Sequence, residues 1–183
     1  MNRTFEYEIM PEIKERWSPR AFSQDAVSET DLFALLEAAR YAPSCNNEQP
    51  WRFIVAQEGD RLQRMRSILN DGNRRWAIQA PVLILILSKK NFESNGKENH
   101  WSMFDAGTAW GYLSLEAQRR GLYTHAMGGY NRNLARSLFS IPDDYQIITV
   151  VAVGKPGDKW KLDEDLLDRE KPNVRKNLED LFL

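Results

Sequence analysis

Two apolar runs constrain the fold of this chain more than any other feature. Residues 81–88 read Pro-Val-Leu-Ile-Leu-Ile-Leu-Ser, and residues 147–153 form a second, nearly continuous apolar segment. Short runs without polar alternation are typical of strands that are covered on both faces. We therefore expect a central sheet whose inner strands are shielded from water on each side.

Helical patterns alternate with these runs. Leu32, Leu35 and Ala39 recur at helical spacing behind Ser28, which is a suitable N-cap. Further helices are predicted over 8–16, 59–69, 102–120 and 131–139, and further strands over 51–57 and 123–127. Residues 70–73, Asn-Asp-Gly-Asn, are predicted to end the helix over 59–69. The alternation of helices and strands predicts an α/β sandwich.

The size and charge of the chain narrow its function class. Its 183 residues contain no Pro/Gly-rich linker, so we expect one domain over 1–183. The 25 basic and 26 acidic residues leave a net charge of −1, which predicts neither a nucleic-acid nor a membrane partner. Because no signal-peptide pattern is present and a single cysteine excludes an internal disulfide, a cytoplasmic location is the simplest interpretation.

The first candidate site is Arg16-Trp17-Ser18-Pro19-Arg20. Two arginines that flank a serine supply the donors that a phosphate group needs. Such a cluster is more often a solvated surface, but the tryptophan and proline interrupt the helix here, and loops hold ligands more often than helix faces. The segment is therefore a candidate phosphate site.

A second candidate lies between a helix and a strand, at residues 42–53. Pro43, Ser44, Cys45, Asn47 and Gln49 combine small and amide side chains between two prolines. Asn and Pro favour turns in any case. The joint pattern is more specific, because amides and backbone groups can bind the edge of a flat, polar heteroaromatic ring.

Two further segments are weaker candidates for ligand binding. Met127, Gly128 and Gly129 follow a predicted strand; they indicate either a simple turn or a backbone surface that a planar ring approaches closely. The G-x-G-x-x-G fingerprint is absent. Arg175 lies in a basic segment that reads as a solvated tail on its own, or as a third source of charge for a phosphate.

The remaining chemistry-bearing residues predict no site of their own. His100 and His125 have no partner at metal-ligand spacing, so no metal is expected. Cys45 has no visible base beside it, and no nucleophile elbow is present. A chain with so few groups for difficult chemistry is typical of an enzyme that uses a cofactor.

From about Ile13 to Leu178 these motifs and the order of elements resemble the nitroreductase family, flavin enzymes that bind FMN at a dimer interface. The resemblance implies a three-layer α/β (α+β) sandwich with a central mixed sheet flanked by helices. It also implies a homodimer in which the C-terminal extension packs on the partner subunit, and a central dimer helix that begins at Asp105.

The resemblance assigns roles to individual residues. Arg16 and Ser18 would hold the phosphate and ribityl chain, and Arg20 would face the pyrimidine edge of the flavin. The backbone at Gly128 would lie beside flavin N5, and Arg175 would close on the phosphate. The full set of implied cofactor-binding residues is Arg16, Trp17, Ser18, Arg20, Pro43, Ser44, Cys45, Asn47, Gln49, Met127, Gly128, Gly129 and Arg175, with Arg20 and Gly128 also catalytic.

The implied reaction is hydride transfer from NADH or NADPH to flavin N5, followed by reduction of a nitroaromatic, a quinone or a related small oxidant in a ping-pong cycle. Trp51 or Trp101 would line the substrate slot. Two alternatives remain open: an FMN enzyme with another reaction (dehydrogenase, dehalogenase or flavin destruction), and a non-enzymatic FMN-binding module. A domain without a cofactor would require both motifs to be coincidental.

Overall fold

A computed structural model describes residues 3–183 as one sheet with helices on both faces. The strands are β1 (Trp51–Ala56), β2 (Val82–Lys89), β3 (Tyr123–Met127) and β4 (Tyr145–Gly154); the helices are α1 (Pro11–Glu15), α2 (Glu29–Arg40), α3 (Gly59–Ser67), α4 (Asp71–Ala77), α5 (Ser102–Arg119), α6 (Arg132–Leu138) and α7 (Glu164–Leu167). The predicted order of helices and strands is confirmed, and the structure adds two short helices, α4 and α7, that were not predicted.

The strands lie in the order β1-β2-β4-β3. The two apolar runs therefore form the inner strands, as predicted. Every pairing among the described residues is antiparallel, which corrects the expected mixed sheet. Strand direction follows from the path of the connections, and the apolar patterns within the strands do not encode it.

Alternation along β2 divides the core into two layers. Val82, Ile84 and Ile86 pack with α2 and α5 on one face. Leu83 and Leu85 pack on the other face with residues of α3 and α4. Each of these side chains is fully buried, which contributes about 1.5–3 kcal/mol apiece to folding. The predicted three-layer sandwich is confirmed.

Helix ends follow the polar residues before them. Ser28 caps α2 as predicted, since its hydroxyl accepts a hydrogen bond from the Asp31 amide. Asn70 caps a helix that the sequence prediction missed: its side chain accepts from the amide of Asn73 and begins α4, where a loop was expected.

The chain after β4 has little regular structure. Short helical turns occur at Lys159–Lys161 and Leu178–Leu181, and the last thirteen residues are exposed. Phe182 leaves 73% of its surface in water. No helix among residues 3–183 combines the length and apolar character that crossing a bilayer requires.

Candidate functional site

A cationic cavity of about 170 Å³ joins the two ends of the described chain. Six of its ten lining residues are cations, drawn from the N-terminal motif and from the C-terminal tail. The lining residues are Arg3, Arg16, Trp17, Ser18, Arg20, His125, Arg169, Lys171, Asn173 and Arg175. The structure therefore brings Arg175 to the same cavity as the Arg-x-Ser-x-Arg motif.

The cations of this cavity lack acidic partners. None of the six makes a side-chain ion pair within residues 3–183. Burial lowers the pKa of Arg16, and the neighbouring Arg3 and Arg175 lower it further. Burial and Arg169 likewise lower the pKa of Arg20, although Glu170 partly opposes them. Like charges held together and partly desolvated favour an anionic ligand.

Backbone hydrogen bonds fix the wall of the cavity. The Glu170 carboxylate accepts hydrogen bonds from the amides of Arg20 and Ala21, at 2.9–3.0 Å. The Arg3 guanidinium donates to the carbonyls of Lys14 and Arg16. Because the Glu170 carboxylate is used by the backbone amides, it forms no ion pair with the guanidinium groups of the cavity.

His125 is a cavity residue that the sequence analysis did not assign. Its Nδ1 lies 2.7 Å from the carbonyl oxygen of Pro19, and its ring packs against Trp76. Burial lowers the pKa of His125 to about 4, and Arg20 and Arg16 add to this effect, whereas the Pro19 bond opposes it. The sequence contained one indication of this role: His125 lies in the predicted strand over 123–127, three residues before the candidate site residue Gly128.

The two glycines after β3 have different surroundings. Gly128 is exposed, and nothing lies within 4 Å of the position that a Cβ would occupy. At Gly129 a Cβ would collide with the side chains of Asn70 and Asn73. The Nδ2 group of Asn73 also donates a hydrogen bond to the Gly129 carbonyl. The absence of a side chain at Gly129 is thus explained by packing. Met127 is buried, so only its backbone can contact a ligand.

The segment over 43–49 has an unusual backbone. Asn46, Asn47 and Gln49 all adopt left-handed conformations, with φ between 50° and 56°. Such residues cost free energy and occur preferentially in binding and active sites. The Ser44 hydroxyl accepts a hydrogen bond from the Gln49 amide, which closes the turn. Pro43, Asn47 and Gln49 are exposed, while Ser44 and Cys45 are half-buried.

Asp105 supports this segment from α5. Its carboxylate is 3% exposed and accepts a hydrogen bond of 3.1 Å from the Cys45 amide. Burial raises the pKa of Asp105, and the bond from Cys45 partly offsets this. Sequence analysis identified Asp105 only as the first residue of a helix, because its partner lies sixty positions away.

One chain does not bring the two predicted motifs together. Asp105, near the start of α5, contacts the 43–49 segment, whereas Gln118, near the end, contacts Glu15 beside the cationic cavity. Thirteen residues of helix separate them by about 20 Å. The segment also leads into β1, and the cavity borders β3, at opposite edges of the sheet.

The aromatic candidates differ in accessibility. Trp51 is 5% exposed, so it belongs to the core and does not line a substrate slot as expected. Trp101 is 58% exposed and remains accessible. Within residues 3–183, no cluster of three His, Cys, Asp or Glu side chains has the arrangement of a metal site.

Comparison with known proteins places this geometry in a family. A model of the nitroreductase family matches residues 13–74 and 61–155. The chain belongs to the nitroreductase family. A relative from Archaeoglobus fulgidus, provisionally named NADH dehydrogenase/NAD(P)H nitroreductase, is 30% identical over 159 residues, which is 83% of this chain and 87% of the relative.

Two further proteins are similar to this chain. The crystal structure of an oxidoreductase containing FMN superposes with a TM-score of 0.95 at 35% identity, covering 100% of this chain and 94% of that chain. An iodotyrosine deiodinase from Thermotoga neapolitana is 25% identical over 169 residues, 79% of this chain and 87% of the relative. The resemblance inferred from the sequence is confirmed.

Proposed function

We propose that this member of the nitroreductase family is an FMN-dependent NAD(P)H oxidoreductase. The observation that carries the proposal is the cavity of six cations without acidic partners, beside the open strand edge that ends at Gly128. The names of the relatives agree with an enzyme of this class, with FMN and with a nicotinamide donor.

The cavity fits the phosphate of FMN. A phosphate monoester carries nearly two negative charges near neutral pH and accepts several hydrogen bonds. Arg16, Arg175 and the Ser18 hydroxyl line the same small volume, so they can surround such a group from both ends of the chain. Arginine is well suited to this role because its planar group donates two parallel hydrogen bonds.

The edge of β3 leads from the phosphate site to the reactive part of the ring. His125 and Gly128 are three residues apart, which is about 10 Å along a strand. The isoalloxazine ring would then lie against the exposed backbone at Gly128, where no side chain intervenes. Arg20, which lines the cavity, would extend toward the pyrimidine edge of the ring.

The site is completed by a second copy of the chain. Since the 43–49 segment lies at the far edge of the sheet from the cavity, it would contact the flavin of the partner subunit. The outer side of α5 supports a homodimer: apart from the adjoining backbone of α5, no described atom lies within 4 Å of a Cβ position at Gly107 or Gly111, and Phe104 is 72% exposed beside them. Glycine inside a helix costs up to about 1 kcal/mol relative to alanine, and close packing of a second helix would offset that cost.

In this assignment the chain binds and orients while the cofactor reacts. Bound FMN supplies the hydride acceptor, N5, between NADH or NADPH and an oxidant such as a nitroaromatic or a quinone. Arg20 would stabilise negative charge at the pyrimidine edge from a partly dry position. The two reactants would use the same space in turn. Residues 1–183 would form a single cytoplasmic FMN-binding domain, with the C-terminal tail on the partner.

A second reaction on the same cofactor is the main alternative. One relative is named an iodotyrosine deiodinase, which gives this alternative limited support, and a fold does not determine a substrate. A non-enzymatic FMN-binding module would use the same cavity without turnover.

The experiment is a visible spectrum of the purified protein before and after anaerobic NADH or NADPH. We expect a flavin spectrum that bleaches with one donor and recovers with a nitroaromatic or quinone. Recovery only with an iodinated or other halogenated aromatic would identify the alternative reaction. A flavin that neither nucleotide reduces would indicate a binding module, and a colourless protein that FMN cannot reconstitute would refute the proposal.

A further inference from the structure

The hydrogen bond between His125 and Pro19 determines which tautomer the imidazole adopts. A carbonyl oxygen only accepts hydrogen bonds, so Nδ1 at 2.7 Å must carry a proton. Burial keeps the ring neutral near pH 7, because it lowers the pKa of His125 to about 4. A neutral imidazole with its proton on Nδ1 has a lone pair on Nε2. His125 is therefore a donor to the protein and an acceptor toward its surroundings.

An acceptor is unusual in this cavity. The six cations and the Trp17 ring nitrogen can only donate hydrogen bonds. Ser18 is already approached by the Arg16 guanidinium at 3.4 Å, and Asn173 lies on the exposed tail. Nε2 of His125 has no hydrogen-bond partner within residues 3–183, and the ring forms part of the cavity wall. It is the acceptor on the sheet side of the cavity.

A bare phosphate needs donors alone, whereas a phosphorylated polyol also brings hydroxyl donors. With the phosphate in the cavity and the ring at Gly128, as proposed, the chain that joins them would pass His125, because β3 runs from this residue to Gly128 over about 10 Å. We propose that Nε2 of His125 accepts a hydrogen bond from a ribityl hydroxyl and so selects a phosphorylated polyol over other phosphates. This inference rests on the proposed FMN function.

The Pro19 bond gives His125 a second, positioning role. Pro19 is buried between Ser18 and Arg20, so its carbonyl fixes the direction of the whole motif. Two amide substitutions separate the roles. In His125→Asn the amide nitrogen takes the place of Nδ1 and retains the bond to Pro19. In His125→Gln the longer side chain reaches the place of Nε2 and loses that bond.

The test compares the Kd values of three probes in wild type and both variants. The probes are FMN, inorganic phosphate, and a flavin with a pentyl phosphate chain that lacks the hydroxyls. We expect His125→Asn to weaken FMN about tenfold, the effect of one hydrogen bond, while changing the other two by less than twofold. His125→Gln should weaken inorganic phosphate as well, since the motif loses its anchor.

Equal losses for FMN and the pentyl analogue in His125→Asn would overturn the inference and leave His125 a packing role. Unchanged FMN affinity would overturn it too. A second readout needs no variant: in ¹⁵N spectra of wild type, Nδ1 should be protonated in the free protein, and FMN should shift the Nε2 resonance while the pentyl analogue does not. A protonated Nε2 in the free protein would refute it. Wild type that binds inorganic phosphate but not FMN would refute the proposed function and this inference together.

Discussion

Asp105 accepts a hydrogen bond from the backbone amide of Cys45, and this contact joins the start of α5 to the strained turn at 43–49. Asp105 is buried and Cys45 is half-buried. An amide left without an acceptor there would cost about 1–3 kcal/mol. This hydrogen bond therefore helps to hold the turn at 43–49 in its observed conformation.

Substitutions at Asp105 should separate the acceptor from the charge. Asp105→Ala is expected to destabilise the protein by about 1–3 kcal/mol, because the Cys45 amide loses its acceptor, and to weaken FMN through the turn. Asp105→Asn keeps an oxygen acceptor and removes a buried charge, so its free energy of unfolding should equal or exceed that of wild type. Urea unfolding of the FMN-free proteins would measure the free energy of unfolding of both variants. If Asp105→Asn lowered the free energy of unfolding as much as Asp105→Ala does, the charge of Asp105 would itself contribute to stability.

The cationic cavity predicts a salt-dependent affinity. Arg16→Gln removes one cation that contacts no carboxylate, so FMN should bind about tenfold more weakly and with a smaller dependence on salt. Fluorescence titration in low and high salt would show this. Arg61→Gln is the matched control, since Arg61 is exposed on α3 and lines none of the described cavities. Equal effects of the two substitutions would contradict a local phosphate site.

The neighbouring glycines predict opposite phenotypes. At Gly129 an added methyl would lie 2.8 Å from Asn73 Nδ2 and would also collide with Asn70. Gly129→Ala should thus lower stability by about 1–3 kcal/mol. Gly128→Ala meets open space, so it should fold as wild type but bind FMN poorly if the ring lies on this backbone. Thermal unfolding of the free protein and flavin titration would test the pair; normal binding by Gly128→Ala would remove the ring from this position.

The half-buried imidazole of His125 predicts a pH dependence of stability. In the folded protein the pKa of His125 is about 4, against an ordinary value of 6.5. Between these pH values the imidazole is therefore protonated in the unfolded chain and neutral in the folded one. Stability is unaffected by this group above pH 6.5 and declines as the pH falls toward 4, by about 3 kcal/mol in total. Unfolding of the FMN-free protein at several pH values measures the slope. His125→Asn should reduce it, whereas substitution of the exposed His100 by Asn provides the control.

The outer side of α5 predicts the assembly state. Gly111→Leu places a large side chain where a second helix would approach, so the variant should sediment as a monomer and retain little FMN. Arg61→Leu adds an exposed leucine to α3 and should leave sedimentation unchanged. A monomeric wild type with tightly bound FMN would exclude a shared site.

Local patterns were sufficient to predict much of the fold. The unbroken apolar run predicted β2. The bounds of β3 were predicted as observed because Gly121 and Gly128 flank this strand. The antiparallel pairing was missed because strand direction depends on the geometry of the connections. Helix α4 was missed because Asn70, a good turn former, here acts as a cap.

The site was predictable where a motif is contiguous and not where it depends on distant contacts. Arg16, Ser18 and Arg20 were identified from one short segment, and the cavity contains all three. The roles of His125 and Asp105 were not predicted because their hydrogen-bond partners are 106 and 60 positions away. A single histidine or aspartate has no local signal that distinguishes a wall of a site from an ordinary core position.

The cavity draws its cations from residues 3–20 and 169–175, and this arrangement has a consequence for biosynthesis. A nascent chain can fold its sheet once β4 has left the ribosome, but the guanidinium of Arg175 and the carboxylate of Glu170 arrive later. If FMN binds in this cavity as proposed, its capture follows translation of the tail. A chain that has not yet reached residue 169 would lack three of the six cations.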